Sequence, residues 1–553
     1  MTTTKKIYLI HILILGIFLS SYSNAFANKN GVATFQNLYS SRVTFNEKGE
    51  PIVGVGIMSG KMKVTLRSDA PVNIYVYNPK KRIITYASSA TFNISLQSSI
   101  KAEIRYYVGV ETLNNTSHAH VLDKIKQWKE TGVEVSPKSI GASFSVNGRI
   151  VDNTKVLLYM YSSTKLSDAE TALSSFNNKS EQKAYLISEA STLPSGKIAL
   201  ISASGEMIAQ SSDIVLLESS PHNSITVLNC EYGQGFSGHG FEPRRFSGTL
   251  YIAIDIKGKL TLGNLLSIET VLKSTVPSEI FPSSPMEALK AQAVAARGQL
   301  LAKLGTRHLS SPYHICSTQH CQVYKGEKTR NRKSDKAVDL TRGEFLIDGS
   351  KLVDTTYSSS SGGYTENNEN AWHQQPDKNR RGRLDADNET RFANGINSSN
   401  LDDFLDNPPA SFSYLSGYNI NKYRWTKELS VGEVTYFVNK KHHVGRVKDL
   451  KILQRGVSGR ATSLEVTGEK EIISVNGELT IRRLLGNLSS SLIRIRKEYD
   501  GNGYLNRFII KGAGFGHGVG MCQTGAIGRA KNGQSYKKIL SHYYCGAEVE
   551  KLY

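Results

Sequence analysis

One carboxyl stands out for its neighbours. Val276-Pro277-Ser278-Glu279-Ile280-Phe281-Pro282 sets Glu279 between two prolines and beside apolar side chains. A carboxylate in such a setting loses hydration, so its pKa is expected to rise. A carboxylic acid still protonated near neutral pH can donate to a leaving glycosidic oxygen. The competing reading is a solvated glutamate in a proline-rich turn. Downstream, Lys290 and Arg297 share one helix face. Each is either a surface charge or a group that positions an anion.

A second cluster combines thiols with imidazoles: His308, His314, Cys316, His320 and Cys321. Two cysteines and two histidines make a standard structural zinc set. His308 is the expected fourth ligand and His314 its competitor. Four protein ligands leave no open position, so the zinc is expected to be structural, one ion per chain. A Cys316–Cys321 disulfide with incidental histidines is the alternative. Two glycine-rich stretches follow. Tyr357-Ser358-Ser359-Ser360-Ser361-Gly362-Gly363-Tyr364-Thr365-Glu366 allows close backbone approach, with Ser361, Gly362 and Thr365 as candidates to bind sugar. Gly512 to Gly525 has GxGxxG-like spacing, but its flanks look antiparallel and the chain ends soon after, so a dinucleotide fold is rejected. His517 inside that stretch is expected to bind or orient substrate, against the alternative of a packed, satisfied ring.

These residues need elements to hold them. Ser284, Pro285 and Glu287 have the order of an N-cap, first helical residue and capping box. They open an alanine-rich helix with Met286, Leu289, Ala293, Ala296 and Leu300 as its buried stripe. Residues 28–100 alternate with period two, as in Met62-Lys63-Val64-Thr65-Leu66, which reads as a β-rich region. Two strand-then-helix units follow in 101–220, with helices over His118 to Lys129 and Ser167 to Phe176. They suggest a small α+β module that resembles the SPOR peptidoglycan-binding domain, a ferredoxin-like module being the alternative. A polar turn near 219–224 marks a boundary, after which 225–553 forms a β-rich catalytic domain. Within it, 377–413 reads as a long polar loop over a site, and Lys448 to Arg494 as strand-rich. The fold class is α+β.

The chain has 553 residues, 39% hydrophobic and 21% charged, a globular composition rather than a disordered one. Its formal net charge of +20 suits acidic partners such as an anionic wall polymer, or is simply a solvated basic surface. Lys5 and Lys6, the apolar run Ile7 to Leu19 and Ala25-Phe26-Ala27 read as a signal peptide over 1–27, a retained anchor being the alternative. No later stretch is long and apolar enough to span a bilayer. Export argues against nucleic acid and leaves the periplasm or cell-wall space as the workplace. The odd count of five cysteines means at least one is outside any disulfide framework, with Cys522 and Cys545 left as a possible bridge.

In combination these blocks resemble the SpoIID/LytB family (stage II sporulation protein D). The matching blocks are Leu265 to Arg297, including Ile268-Glu269; His308 to Tyr324 with H-C-Q-V-Y; Thr341 to Glu366; and Gly514 to Tyr544. The resemblance implies a lytic transglycosylase that cleaves the β-1,4 bond between N-acetylmuramic acid and N-acetylglucosamine in denuded glycan. It puts Glu279 on the catalytic acid, Arg297 on a supporting arginine, and His308, Cys316, His320 and Cys321 on the zinc positions. Phe281 departs from the family's E-M-P spacing and makes the acid loop one residue longer. Gly298 stands where a threonine is usual. Glu269 or Glu366 would be the second carboxylate of a true hydrolase. A non-catalytic wall binder that enhances a cell-wall amidase is the alternative function.

Overall fold

The computed structural model describes residues 31–78, 80–87, 89–114, 116–180, 183–220, 223–233, 239–372 and 374–553. The expected signal peptide lies outside the described residues. The architecture is mixed α+β and β-rich, with several sheets.

The central body is two sheets. One orders Thr44–Phe45, Pro51–Lys61, Leu260–Ser267, Thr249–Ile254, Ile214–Ser219, Val72–Tyr77 and Lys81–Tyr86. The other orders Met207–Ser212, Ser195–Ser202, Ala90–Ile100, Lys63–Ser68, Ser224–Tyr232 and Gly240–Ser247. Period-two alternation makes these strands: in Lys63–Ser68, Val64, Leu66 and Ser68 are buried and Lys63 and Arg67 exposed. Val53, Val64, Leu66, Ile74, Ile198 and Ile252 from the two sheets share one apolar core. The boundary expected near 219–224 is therefore corrected. Pro51–Lys61 pairs antiparallel with Leu260–Ser267, so the first hundred residues complete the body that carries the acid. The polar turn there only passes the chain from one sheet to the other.

The unit between 104 and 190 runs strand, helix, strand, strand, helix, strand. Its sheet orders Tyr185–Ala190, Ile104–Leu113, Lys155–Ser163 and Ser136–Ile140, all antiparallel. That is the ferredoxin-like arrangement. Val108, Leu113, Val121, Trp128, Leu158 and Ala169 form its own core. A hairpin of Ser143–Val146 and Arg149–Asp152 leaves the unit and joins a sheet with Lys351–Leu352, Glu344–Asp348 and Glu548–Lys551.

The stretch 377–413 carries more apolar anchors than its composition suggested. Phe392, Ile396, Leu401, Phe404 and Leu405 are buried against Tyr364, Leu492 and Ala513. It is followed by two three-stranded sheets, Arg424–Ser430 with Leu505–Ala513 and Ile493–Tyr499, and Val447–Arg455 with Ala461–Gly468 and Ile472–Asn476. These close on a separate core that includes Val434, Leu464, Ile481 and Phe508. No described helix is long and apolar enough to cross a membrane.

Candidate active site

Glu279 is the last residue of the helix Ile268–Glu279 rather than part of a free bend. Ser267 caps the other end by accepting from the Thr270 amide at 3.3 Å. Pro277 lies inside the final turn, where it supplies no N–H. In the same turn the carbonyl of Ser274 accepts from the Ser278 and Thr329 hydroxyls at 2.7 and 3.0 Å. The following helix, Met286–Lys303, packs against it inside the main core. Two sequence expectations for this second helix are corrected. Its cap is Pro285 without a side-chain bond, and Glu287 turns away to accept from the Tyr536 amide at 2.8 Å. Nor is there a single buried stripe: Ala288, Leu289 and every residue from Ala291 to Lys303 are buried, so the alanines admit neighbours on all sides.

The Glu279 carboxylate is half-buried, and its Oε1 accepts from the Val323 amide at 3.0 Å. Burial lifts its pKa above the usual carboxyl range, with the Val323 hydrogen bond and the Lys303 and Lys325 charges pulling the other way. Val323 is fixed by its neighbours. Gln322 donates to the Ala296 carbonyl and to Gln299, each at 2.9 Å, and the Tyr324 hydroxyl donates to Asn264 at 2.6 Å. The Tyr357 hydroxyl is buried within electrostatic reach of Glu279. Tyr357–Ser358 pairs in parallel with Met521–Cys522, which brings the two glycine-rich stretches to the acid.

Arg297 does not serve this carboxyl directly, and its expected catalytic place is corrected. It is fully buried in a two-pronged pair with Glu269, at 2.7 and 2.8 Å, and also donates to the Glu344 carbonyl. It joins the two helices instead. Burial alone would raise the Glu269 pKa, but the Arg297 charge and hydrogen bonds, with Tyr553, hold it below the usual range. Glu366 is equally committed. It accepts from the Ser458 hydroxyl at 2.6 Å, the Ser458 and Val457 amides, and the Asn370 side chain.

The candidate sugar-binding residues separate. Ser361 and Thr365 are interior: the Ser361 hydroxyl meets Ser413 and the Gly363 amide, and Thr365 exchanges bonds with the Arg383 backbone. Gly362, at φ +75°, admits the backbone of Ala513 and Gly514 rather than a ligand. Gly520, at φ +71°, would put a Cβ 2.1 Å from the Thr356 carbonyl. The glycines thus serve chain-to-chain packing. His517 is half-buried against Trp372 at 4.7 Å, and its Nδ1 accepts from the Val519 amide at 3.0 Å. Burial, then the Arg460 and Arg482 charges, push its pKa down to about 3, so the ring is neutral.

His308, Cys316, His320 and Cys321 come together as expected, with one donor atom each and all within 4.8 Å of one another. Separations of 3.2 Å for His308 to Cys321, 3.6 Å for Cys316 to His320 and 3.7 Å for Cys321 to His320 are close to the edges of a tetrahedron about a four-coordinate ion, roughly 3.3–3.8 Å. The group fits a metal. The contact between the two sulfurs lowers the Cys316 pKa and raises that of Cys321, so the pair shares one proton, which a metal held by both thiolates would displace. His314 is excluded as a ligand, since its ring accepts from the Gly54 amide and meets the Asn37 carbonyl. All five cysteines are free thiols, so neither Cys316–Cys321 nor Cys522–Cys545 is a disulfide.

Sequence reasoning missed Val323, because a backbone donor has no side-chain signature. It also missed Trp372, which packs against His517, and Tyr418, which packs against Phe281, on either side of the stretch 377–413 read as a polar loop.

Comparison with known proteins gives two matched families. Residues 256–347 match the family described as Stage II sporulation protein, and 366–520 match a Domain of unknown function (DUF8618). An uncharacterized protein of Brachyspira hyodysenteriae is 30% identical over 330 residues, covering 58% of this chain and 75% of that protein. The stage II sporulation protein D of Bacillus amyloliquefaciens is 28% identical over 51% of this chain and 72% of its own length. The amidase enhancer of Bacillus subtilis is 29% identical over 50% of this chain, but that match spans only 40% of the enhancer.

Proposed function

The chain belongs to the stage II sporulation protein D family, and from that premise we propose that it is an exported lytic transglycosylase acting on peptidoglycan glycan strands. The reading rests on Glu279: a half-buried carboxyl with a raised pKa, held by a backbone amide at the end of a fixed helix. Protonated Glu279 gives its proton to the glycosidic oxygen as the C1–O bond breaks and positive charge builds on the muramic acid ring. The resulting carboxylate takes the proton of the C6 hydroxyl while that oxygen bonds to C1. The products are an anhydromuramic end and a free N-acetylglucosamine hydroxyl, and no water is consumed. The commitment of Glu269 and Glu366 supports this over hydrolysis. Both expected partner carboxylates are tied into the fold, and an inverting or retaining hydrolase needs a second one.

Zinc at His308, Cys316, His320 and Cys321 would supply a structural crosslink with no chemical step. Because H-C-Q-V-Y is continuous, fixing His320 and Cys321 also fixes the Val323 amide that holds the acid. The +20 charge suits retention on an anionic wall. His517 stays a candidate for substrate contact, beside Trp372.

Glu279→Gln tests the acid role. It keeps the shape and removes the proton, so anhydro ends should fall by about two to four orders of magnitude with the fold intact. Undiminished product formation would remove Glu279 from the mechanism. The name of the Bacillus subtilis relative favours a second reading, a non-catalytic enhancer of a wall amidase. Purified protein with isolated glycan strands separates the two, because an enhancer alone creates no new ends.

A further inference from the structure

We propose that the Phe281–Tyr418 ring pair is a pyranose-stacking platform beside Glu279, holding a ring of the glycan while the acid acts; the identity of the polymer rests on the reading above. Phe281 follows the acid by two positions, with buried Ile280 between, yet its own ring is 40% exposed. It packs against Tyr418 in a tilted pair, 4.9 Å between centroids and 40° between planes. Tyr418 comes from a distant segment and is firmly held. Its hydroxyl meets Ser283 at 3.0 Å, its amide donates to the Ser416 hydroxyl, and Lys531 lies 5.3 Å over its ring while donating to the Ser416 carbonyl. The next residue, Asn419, donates to the Ser359 hydroxyl at 3.3 Å, which ties this rim to the strand beside the acid.

Tyr418 is half-buried and packs against the main core, so it holds the exposed Phe281 ring in place at the surface. Here the apolar faces are edged by hydroxyls of Tyr418 and Ser283 and by the ammonium groups of Lys531 and Lys333, the latter donating to the Ser283 carbonyl at 3.2 Å. A pyranose offers the complementary surface, an apolar C–H face edged by hydroxyls. The lysines suit the lactyl carboxylate of a muramic acid ring.

The test measures equilibrium binding of denuded glycan strands to Glu279→Gln protein, which cannot turn them over. Phe281→Ala and Phe281→Leu should each weaken binding about tenfold, the scale of one aromatic contact, while Phe281→Trp keeps it. Tyr418→Ala should weaken it similarly, with unfolding midpoints of the Phe281 variants unchanged. In the active background Phe281→Ala should raise KM with little change in kcat. Equal binding by Phe281→Ala, or by Phe281→Leu and Phe281→Trp alike, would overturn the platform. If the active protein makes no new ends but the Phe281 variants still lose binding, the platform stands and the lyase reading falls.

Discussion

At Glu279, burial outweighs the opposing pull of the Val323 amide and of Lys303 and Lys325, so the folded protein holds this proton to higher pH than the unfolded chain does. The sign for stability follows. A raised folded pKa favours folding below the ordinary glutamate range, and that benefit is lost as pH rises through the folded pKa. Glu279→Gln should therefore be more resistant to denaturant than the natural protein at neutral pH, the gap closing as pH falls toward the ordinary carboxyl range. A pH-independent gap in urea midpoints would contradict the burial account. Glu269 runs opposite. Its lowered pKa gives stability that is present above the ordinary glutamate range and lost as pH falls through the folded value. Arg297→Met leaves the Glu269 charge buried without its partner and should cost about 3–5 kcal/mol in denaturant unfolding. A catalytic role for Arg297 predicts instead lost activity at full stability. The raised pKa of Glu279 was legible in the sequence from its apolar neighbours. The role of Arg297 was not, because its type and helix position say nothing about which carboxylate lies opposite across the fold.

Among the elements, the two helices, the H-C-Q-V-Y loop and the paired glycine-rich segments act together to hold one side chain. The loop links the candidate metal ligands His320 and Cys321 to Val323 through Gln322, which is pinned to the alanine-rich helix. Cys316→Ser or Cys321→Ser should release about one equivalent of zinc per chain, measured by elemental analysis, and lower the unfolding temperature before any effect on chemistry is considered. Zinc bound undiminished in both variants would contradict the site. Gly520→Ala should cost about 2 kcal/mol or more, because a Cβ there meets the Thr356 carbonyl and the backbone is left-handed. The metal cluster was readable because its residue types are rare and specific. The glycines were misassigned because spacing shows where a Cβ is missing but not what fills the space. Gly362, Gly514 and Gly516 face the other glycine-rich segment, whereas Gly363, Gly512 and Gly518 face Phe404, Trp425 and Arg460.

For the whole molecule, sheet pairing decides what can fold alone. A fragment of 225–553 lacks Pro51–Lys61 and Ile214–Ser219, which flank Leu260–Ser267 and Thr249–Ile254, and Val72–Tyr77 beyond them. It should be insoluble or lack cooperative unfolding, whereas a sharp native transition would restore the boundary expected at 219–224. The α+β class and the strand-helix order of 104–190 were legible from periodicity, but the expected module over 101–220 was too long, since Ser195–Ser202, Met207–Ser212 and Ile214–Ser219 belong to the central sheets. The closure of early strands onto late ones was not, since alternation identifies a strand and never its partner. Likewise Phe392, Phe404 and Leu405 hid within a polar composition because a loop needs few anchors to be ordered. The central claim, that the substrate supplies its own nucleophile, is tested most directly by cleaving denuded glycan in heavy-oxygen water and weighing the new ends. Anhydromuramic ends carrying no solvent oxygen are expected. Reducing ends that carry the label, or no new ends at all, would contradict it.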